Sequence, residues 1–502
     1  MLPEISPATA DALRTALDRA GYRTDGVRAL LGRDAHAALT RGEPEPAFRA
    51  TADGGALGVL VRMLLLGAVE PDAAVTAALA PLTPVDAAAA GLLRRANDGW
   101  AAALDLRPHG ADSGDDEGDG EWWVLSDLDA RRQERDHVTG VGGASLTLAS
   151  ATPRTPVGTV LDLGTGCGVQ ALHASRHARA VTATDVALRA LAMARATFAL
   201  NDLDVELLDG PWLAPVAGRR FDLIVSNPPF VPGPARVDYV YRDSGQAGDD
   251  ALAALVRALP EHLEPGGVAQ LLGSWLHVRG EDWPDRVRSW LPEGVDAWIV
   301  QRETTDPALH VGTWQRDAGL DLHSAEARAQ AGAWLDWLAA QKVEAVGFGF
   351  LTLRRIDGAS TTGTPTVVVE DLPDDLTDPL GPEVAGWLDR VDWLQAHATD
   401  DALLDARLRL TDGVLLERYA TAGDEGWSEA GAAVARAEGP RWRHEVDEPA
   451  AALLAGCRGA LPLRELVELL AFAHDRPVDA LVGAALPAVR EMVRHGLLVP
   501  VP

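Results

Sequence analysis

The chain reads as an α/β protein built on a mostly parallel sheet with helices on both faces, preceded by a helical region and followed by a mixed α+β region. Three observations predict this. Between residues 159 and 355, short apolar runs alternate with helical stretches. A glycine loop, Asp162-x-Gly164-x-Gly166-x-Gly168, follows the first of these runs. Two acids, Asp185 and Asp209, close the next two runs, at the carboxyl ends of strands where such sheets gather their ligands.

Composition sets the outer bounds. A chain of 502 residues exceeds a single ordinary core, and two to four domains are expected. With 47% hydrophobic and 24% charged residues it has a globular composition. The net charge of −29 works against a nucleic-acid partner, because neutralising phosphates with Lys and Arg supplies most non-specific affinity. Two distant cysteines, Cys167 and Cys457, make neither a disulfide framework nor a four-ligand zinc site. The first residues lack the basic and apolar regions of a signal peptide. The apolar run 57–68 falls short of the ~20 residues needed to span a bilayer and carries Arg62. A cytoplasmic protein without a membrane partner is expected.

Residues 1–98 are expected to form a helical packing or substrate-docking domain. Leu13 and Leu17 share a helical face, Val27, Leu30 and Leu31 continue it, and Leu57, Leu60, Val61, Leu64 and Leu65 mark the most apolar helix. Thr83-Pro84 supplies an N-cap and a first-turn proline for a helix expected to end near Arg95.

Residues 99–152 change to short strand-like runs. Runs 101–106 and 121–125 are expected to pair as a hairpin across the acidic insert 112–120, which lacks EF-hand spacing and reads as a solvated loop. The glycine-rich stretch from His137 to Thr147 either forms a lid over a ligand or merely turns the chain.

Residues 153–357 form the central domain. Its strands are expected at 160–163, 180–184, 205–208, 223–226, 268–272, 297–301 and 345–353, with helices such as 188–201 and 249–262 between them. Residues 358–502 form an accessory domain. It should contain a linker or surface turn around Ser360 to Pro365 and a hairpin around Thr411-Asp-Gly413. Two patterned helices carry Leu463, Leu466, Val467 and Leu470, then Leu481, Val489 and Val493, ahead of a short strand. That order is winged-helix-like. Winged helices bind DNA in some proteins and only pack or bind protein in others; few basic residues on these helices favour the second use.

The chemistry concentrates at strand ends. The GxGxG spacing lets backbone approach a ligand closely but lacks the GxxG phosphate cradle of a dinucleotide site. Asp185 stands where a carboxylate would accept two ribose hydroxyls, and Asp209 where an acid would accept an adenine amino group. Together they describe an adenosine-containing cofactor without phosphates. After the fourth strand comes Asn227-Pro228-Pro229-Phe230. Two prolines fix their φ angles, so the Asn227 side-chain oxygen and the Pro228 carbonyl become two acceptors in fixed relation, able to hold both hydrogens of one NH₂ group. Phe230 can stack on the planar group that carries it.

These motifs resemble those of class I S-adenosylmethionine-dependent methyltransferases of the amino-methylating group. The nearest resemblance is to the HemK type, which methylates glutamine N5 in peptide release factors; similar motifs occur in small-domain rRNA guanine N2 and adenine N6 methyltransferases. The resemblance covers residues 159–355 and implies a Rossmann-like seven-stranded sheet with an antiparallel last strand, matching run 345–353. It implies S-adenosylmethionine bound through Asp162, Gly164, Thr165, Gly166, Gly168, Asp185, Asp209 and Asn227. Within that set, Gly164 and Gly166 would meet the methionine part, Asp185 the ribose and Asp209 the adenine. Asn227, Pro228, Pro229 and Phe230 would hold the target nitrogen, and no metal is expected. The flanks depart from the HemK pattern: no release-factor-type substrate domain precedes the glycine loop, and the long C-terminal region is extra. The negative charge makes a protein glutamine the first expectation for the substrate, with an RNA or DNA base the alternative and a small metabolite third. A binding protein that keeps the fold without turnover stands as the reading from another class.

Overall fold

A computed structural model describes residues 2–501 except 111–120, 129–133, 230, 236–242, 244, 357–363, 373–378 and 425. The acidic insert, Phe230 and most of the Ser360 to Pro365 stretch therefore lie outside the described residues. The chain divides into two compact units. The first comprises Met1–Ala149, Pro156–Pro292 and Glu303–Arg355; the second comprises Ser150–Thr155, Glu293–Arg302 and Ile356–Pro502.

The central strands are β1 (Val157–Leu163), β2 (Ala178–Asp185), β3 (Glu206–Asp209), β4 (Phe221–Ser226), β5 (Leu263–Val278), β6 (Val295–Thr305), β7 (Val343–Arg355) and β8 (Val367–Asp371). Their order in the sheet is β8-β6-β7-β5-β4-β1-β2-β3. The pairs β1/β2, β2/β3, β1/β4 and β4/β5 are parallel, and β7 runs antiparallel to β5. All seven expected strands form, and β7 is antiparallel as expected. An eighth was not foreseen: Val367–Asp371 adds in parallel to β6, with Ala297 opposite Val367.

β1 reads as a run of apolar residues because its later half is buried on both faces, with Val160 and Leu161 fully inaccessible. Chain direction diverges between β1 and β4: β2 and β3 extend to one side, β4 and β5 to the other. A crevice at that switch point is where an open α/β sheet takes its ligand. The register brings Leu163 level with Thr184 and with Ser226, and Asp185 level with Asp209, so the functional strand ends share one edge.

In the first unit, the helix Pro7–Ala20 is capped by Ser6, whose hydroxyl accepts from the Thr9 N–H at 3.1 Å, and stops at left-handed Gly21. The apolar helix Gly55–Leu60 runs into a π-helical turn, Val61–Leu65. Arg62 is tolerated there because its guanidinium makes two bonds to Glu70, at 2.7 and 2.9 Å. The Thr83-Pro84 cap is present, but its helix ends at Ala89 rather than near Arg95. Gly91 turns the chain at φ 79°, and Leu93–Ala96 becomes a strand paired with Gly99–Ala102. The expected hairpin is also shifted: Asp105–Gly110 pairs with Glu121–Ser126, so run 101–106 is divided between two strands.

In the second unit, Thr411-Asp-Gly413 is not a hairpin turn. Arg407–Leu410 pairs instead with Leu498–Pro500, and the Thr411 N–H donates to Leu497 O at 2.9 Å, leaving Val414–Gly423 to pair with Gly426–Arg436. The two expected helices are Leu463–Ala473 and Val478–Arg494, followed by that terminal strand. Among the described residues no helix is long and apolar enough to cross a membrane.

Candidate active site

The loop after β1 is shaped by its own backbone. Gly164 and Gly166 have φ of 77° and 57°, a region that favours glycine, and a Cβ on either would meet nothing within 4 Å. Open space therefore lies over both. The Gly164 and Thr165 N–H groups both donate to Thr184 O at 2.9 Å, tying the loop to β2. Gly168, at φ 93°, faces the other way: a Cβ there would lie 2.6 Å from the Phe198 ring.

Asp162 sits beneath the loop rather than at its surface. Its carboxylate, 1% exposed, accepts from the Thr165 hydroxyl at 2.7 Å and the Ala171 N–H at 3.0 Å. Burial drives its pKa up to about 7, against the lowering effect of those two donors. Burial also pushes the Cys167 thiol up to about 12, so this cysteine is no nucleophile at neutral pH.

Asp185, at the end of β2, accepts from the Gly166 N–H at 3.0 Å and the Ala187 N–H at 2.8 Å. Burial raises its pKa; the backbone donors oppose the shift and Asp209 adds to it. Asp209 itself is exposed, and the residues after it, Gly210, Pro211 and Trp212, form the wall. Trp212 adopts φ 50° to do so. The sequence reading missed it; the signal was a Gly-Pro turn closing a strand end.

Beyond β4, the Ser226 hydroxyl donates to Leu163 O at 2.8 Å and locks the two central strand ends together. The Asn227 side-chain oxygen is buried and has no hydrogen-bond partner. Pro228 is buried and Pro229 half-buried.

One cavity of about 450 Å³ lies at this strand edge. Gly164, Thr165, Gly166, Asp185, Asn227, Pro228 and Pro229 line it; Asp162, Gly168 and Asp209 do not. Its remaining wall comes from upstream. His137, Val138, Thr139, Gly140 and Ser145 line it too, so the glycine-rich stretch left open as lid or turn borders the ligand space. That wall is anchored. Asp127 and Val138 exchange two hydrogen bonds of 3.0 Å, and the same Asp127 carboxylate pairs with buried Arg189 at 2.7 Å. A second cavity, about 640 Å³, shares His137, Thr139 and Gly140 with the first and is bordered by Arg28, His36 and Arg107.

The first cavity fits an adenosyl cofactor. It offers an open glycine edge, a half-buried carboxylate one strand away, and an unpartnered amide oxygen.

The sheet order and this strand edge define a class I S-adenosylmethionine-dependent methyltransferase domain. Residues 139–273 match the family described as methyltransferase small domain. Residues 19–103 and 385–500 match two domains of unknown function, DUF7059 and DUF7782. Among curated proteins, the chain is similar to ribosomal RNA small subunit methyltransferase C of Salmonella arizonae, 36% identical over 134 residues. That protein's Escherichia coli counterpart is 35% identical over the same length. Each match covers 26% of this chain and 35% of the relative, so the chain spans about a third of the length of the relatives it matches. Among solved structures it is similar to the Thermus thermophilus 16S rRNA N2 G1207 methyltransferase in complex with AdoMet and guanosine. That match has 22% identity and a TM-score of 0.27, and covers 49% of this chain and 66% of that one. A methyltransferase from Thiobacillus denitrificans with S-adenosyl-L-homocysteine matches at 20% identity and a TM-score of 0.26, covering 45% and 97%.

Proposed function

We propose that the chain is an N-methyltransferase acting on the exocyclic amino group of a ribosomal RNA base, guanine N2 or adenine N6, in the cytoplasm. The observation that carries this reading is the buried, unpartnered oxygen of Asn227 in the same cavity as Gly164, Gly166 and Asp185. S-adenosylmethionine, when bound, supplies an electrophilic methyl group. The protein's part is positional. Asn227 Oδ1 and the Pro228 carbonyl accept the two hydrogens of the target NH₂, which turns the nitrogen lone pair away from its aromatic ring. The same acceptors favour the positive charge that develops on nitrogen. Asp185 accepts the ribose hydroxyls with the lone pairs its backbone donors leave unused. The departing proton needs no strong base, because alkylated nitrogen is acidic; orientation supplies much of the acceleration.

The relatives named as ribosomal RNA methyltransferases support a base over a glutamine amide, and the second cavity offers room for the nucleotide beside the target. A glutamine side chain presents the same planar NH₂, and the net charge of −29 favours that second reading. One experiment separates them. The chain is incubated with methyl-labelled cofactor and ribosome-containing lysate, and the product is split between RNase, DNase and protease. Label lost to RNase and surviving protease is expected; label lost to protease alone overturns the RNA assignment in favour of the amide.

A further inference from the structure

The second unit contains a side-chain cluster that methyl transfer does not use. His444 lies on the strand Arg443–Val446, Glu491 on the last turn of the helix Val478–Arg494, and His495 directly after that helix. One potential ligand atom from each lies within 4.8 Å of the other two. His444 Nε2 and His495 Nδ1 are 2.9 Å apart.

The far side of His495 is fixed. Its Nε2 lies 3.1 Å from Glu370 Oε2. Glu370 also accepts the Trp298 indole N–H at 2.6 Å and the Trp442 indole N–H at 3.3 Å, so it acts as an acceptor throughout. The proton of a neutral His495 ring therefore sits on Nε2, facing Glu370, and the lone pair sits on Nδ1, facing His444. The Trp442 ring stacks on His495 with 4.4 Å between centroids and 2° between planes, which holds the ring in that orientation. A carboxylate behind an imidazole whose other nitrogen points into a ligand cluster is the arrangement that orients metal-binding histidines.

We propose that His444 Nε2, His495 Nδ1 and the Glu491 carboxylate bind one divalent first-row transition ion, Zn²⁺ by the nature of the ligands, with Glu370 as a positioning residue. Two imidazoles and one carboxylate form a three-ligand set that leaves a fourth position open. The ion would join the strand Arg443–Val446 to the end of the long helix, so binding adds to the stability of that unit.

The test uses the full-length, tag-free chain and ZnCl₂ alone, by equilibrium dialysis with elemental analysis and by thermal melting. Wild type should retain about one Zn²⁺ per chain and melt higher with it. Glu491→Gln and His444→Ala should each lower affinity about tenfold or more, and Glu370→Gln about 10- to 100-fold. Glu491 is exposed, so Glu491→Gln leaves the fold intact and decides the matter if His444→Ala does not fold. No saturable binding near one equivalent, or equal binding by wild type and Glu491→Gln, overturns the site and leaves a hydrogen-bonded histidine pair only.

Discussion

The Asp185 carboxylate accepts a hydrogen bond from the Gly166 N–H at 3.0 Å, so the acid at the end of β2 also shapes the loop after β1. Under the proposed function, ribose recognition would rest on the same side chain that holds the loop. Asp185→Ala removes both, and cofactor affinity should fall by about 10- to 100-fold, the worth of one or two charge-assisted hydrogen bonds. Isothermal titration with S-adenosylhomocysteine measures it. Unchanged affinity would detach Asp185 from the cofactor.

Asn227→Ala separates the two halves of the cavity. Turnover should drop by about 100-fold or more, as when a transition-state acceptor is removed, with cofactor affinity changed only a few-fold. Single-turnover methylation alongside cofactor titration gives both numbers. Loss of binding with turnover retained would reverse the assigned roles.

Asp162 gives a pH signature. Its folded pKa, about 7, stands above the ordinary carboxylate value near 3.8. A raised folded pKa means the folded state holds the proton more tightly. Its stabilisation is complete below about pH 4 and is lost as pH rises through about 7. Asp162→Asn should flatten the dependence of the melting temperature on pH between about 4 and 7, relative to wild type. Parallel curves for the two proteins would show that Asp162 does not titrate there.

The seven central strands were legible because both-face burial writes them as apolar runs between helical stretches. β8 was not, since Val367–Asp371 follows a turn-rich stretch and gains its meaning only from pairing with β6. At the site, Gly164, Gly166, Asp185 and Asn227 were legible from motif spacing along strand ends. Asp162 was not assignable to the layer beneath the loop, because spacing does not show which way a carboxylate points. Trp212 was hidden, and the stretch from His137 stayed open between lid and turn, for a related reason: their role depends on which distant elements the fold brings to the cavity.

Gly168→Ala tests the packing behind the loop. The added Cβ would stand 2.6 Å from the Phe198 ring at a φ of 93°, so a loss of roughly 1–3 kcal/mol is expected. Urea unfolding measures it. Adding Phe198→Leu should recover part of the loss; a double variant no better than additive would place the cost in the backbone alone.

Asp127→Ala removes one carboxylate partner of buried Arg189, at a cost of about 1–3 kcal/mol. Hydrogen exchange should also show Val138 less protected, because its N–H loses its acceptor. Unaltered protection at Val138 would argue against the anchor.

That anchor bears on how portable the catalytic module is. The match to the methyltransferase small domain begins at residue 139, whereas Asp127, which holds Arg189 at the start of the helix Leu188–Leu200, lies twelve residues earlier. A graft cut at the family boundary would carry the guanidinium and leave behind the Asp127 carboxylate that pairs with it. The segment recognisable as sequence is thus smaller than the set of residues that pack and pair with it.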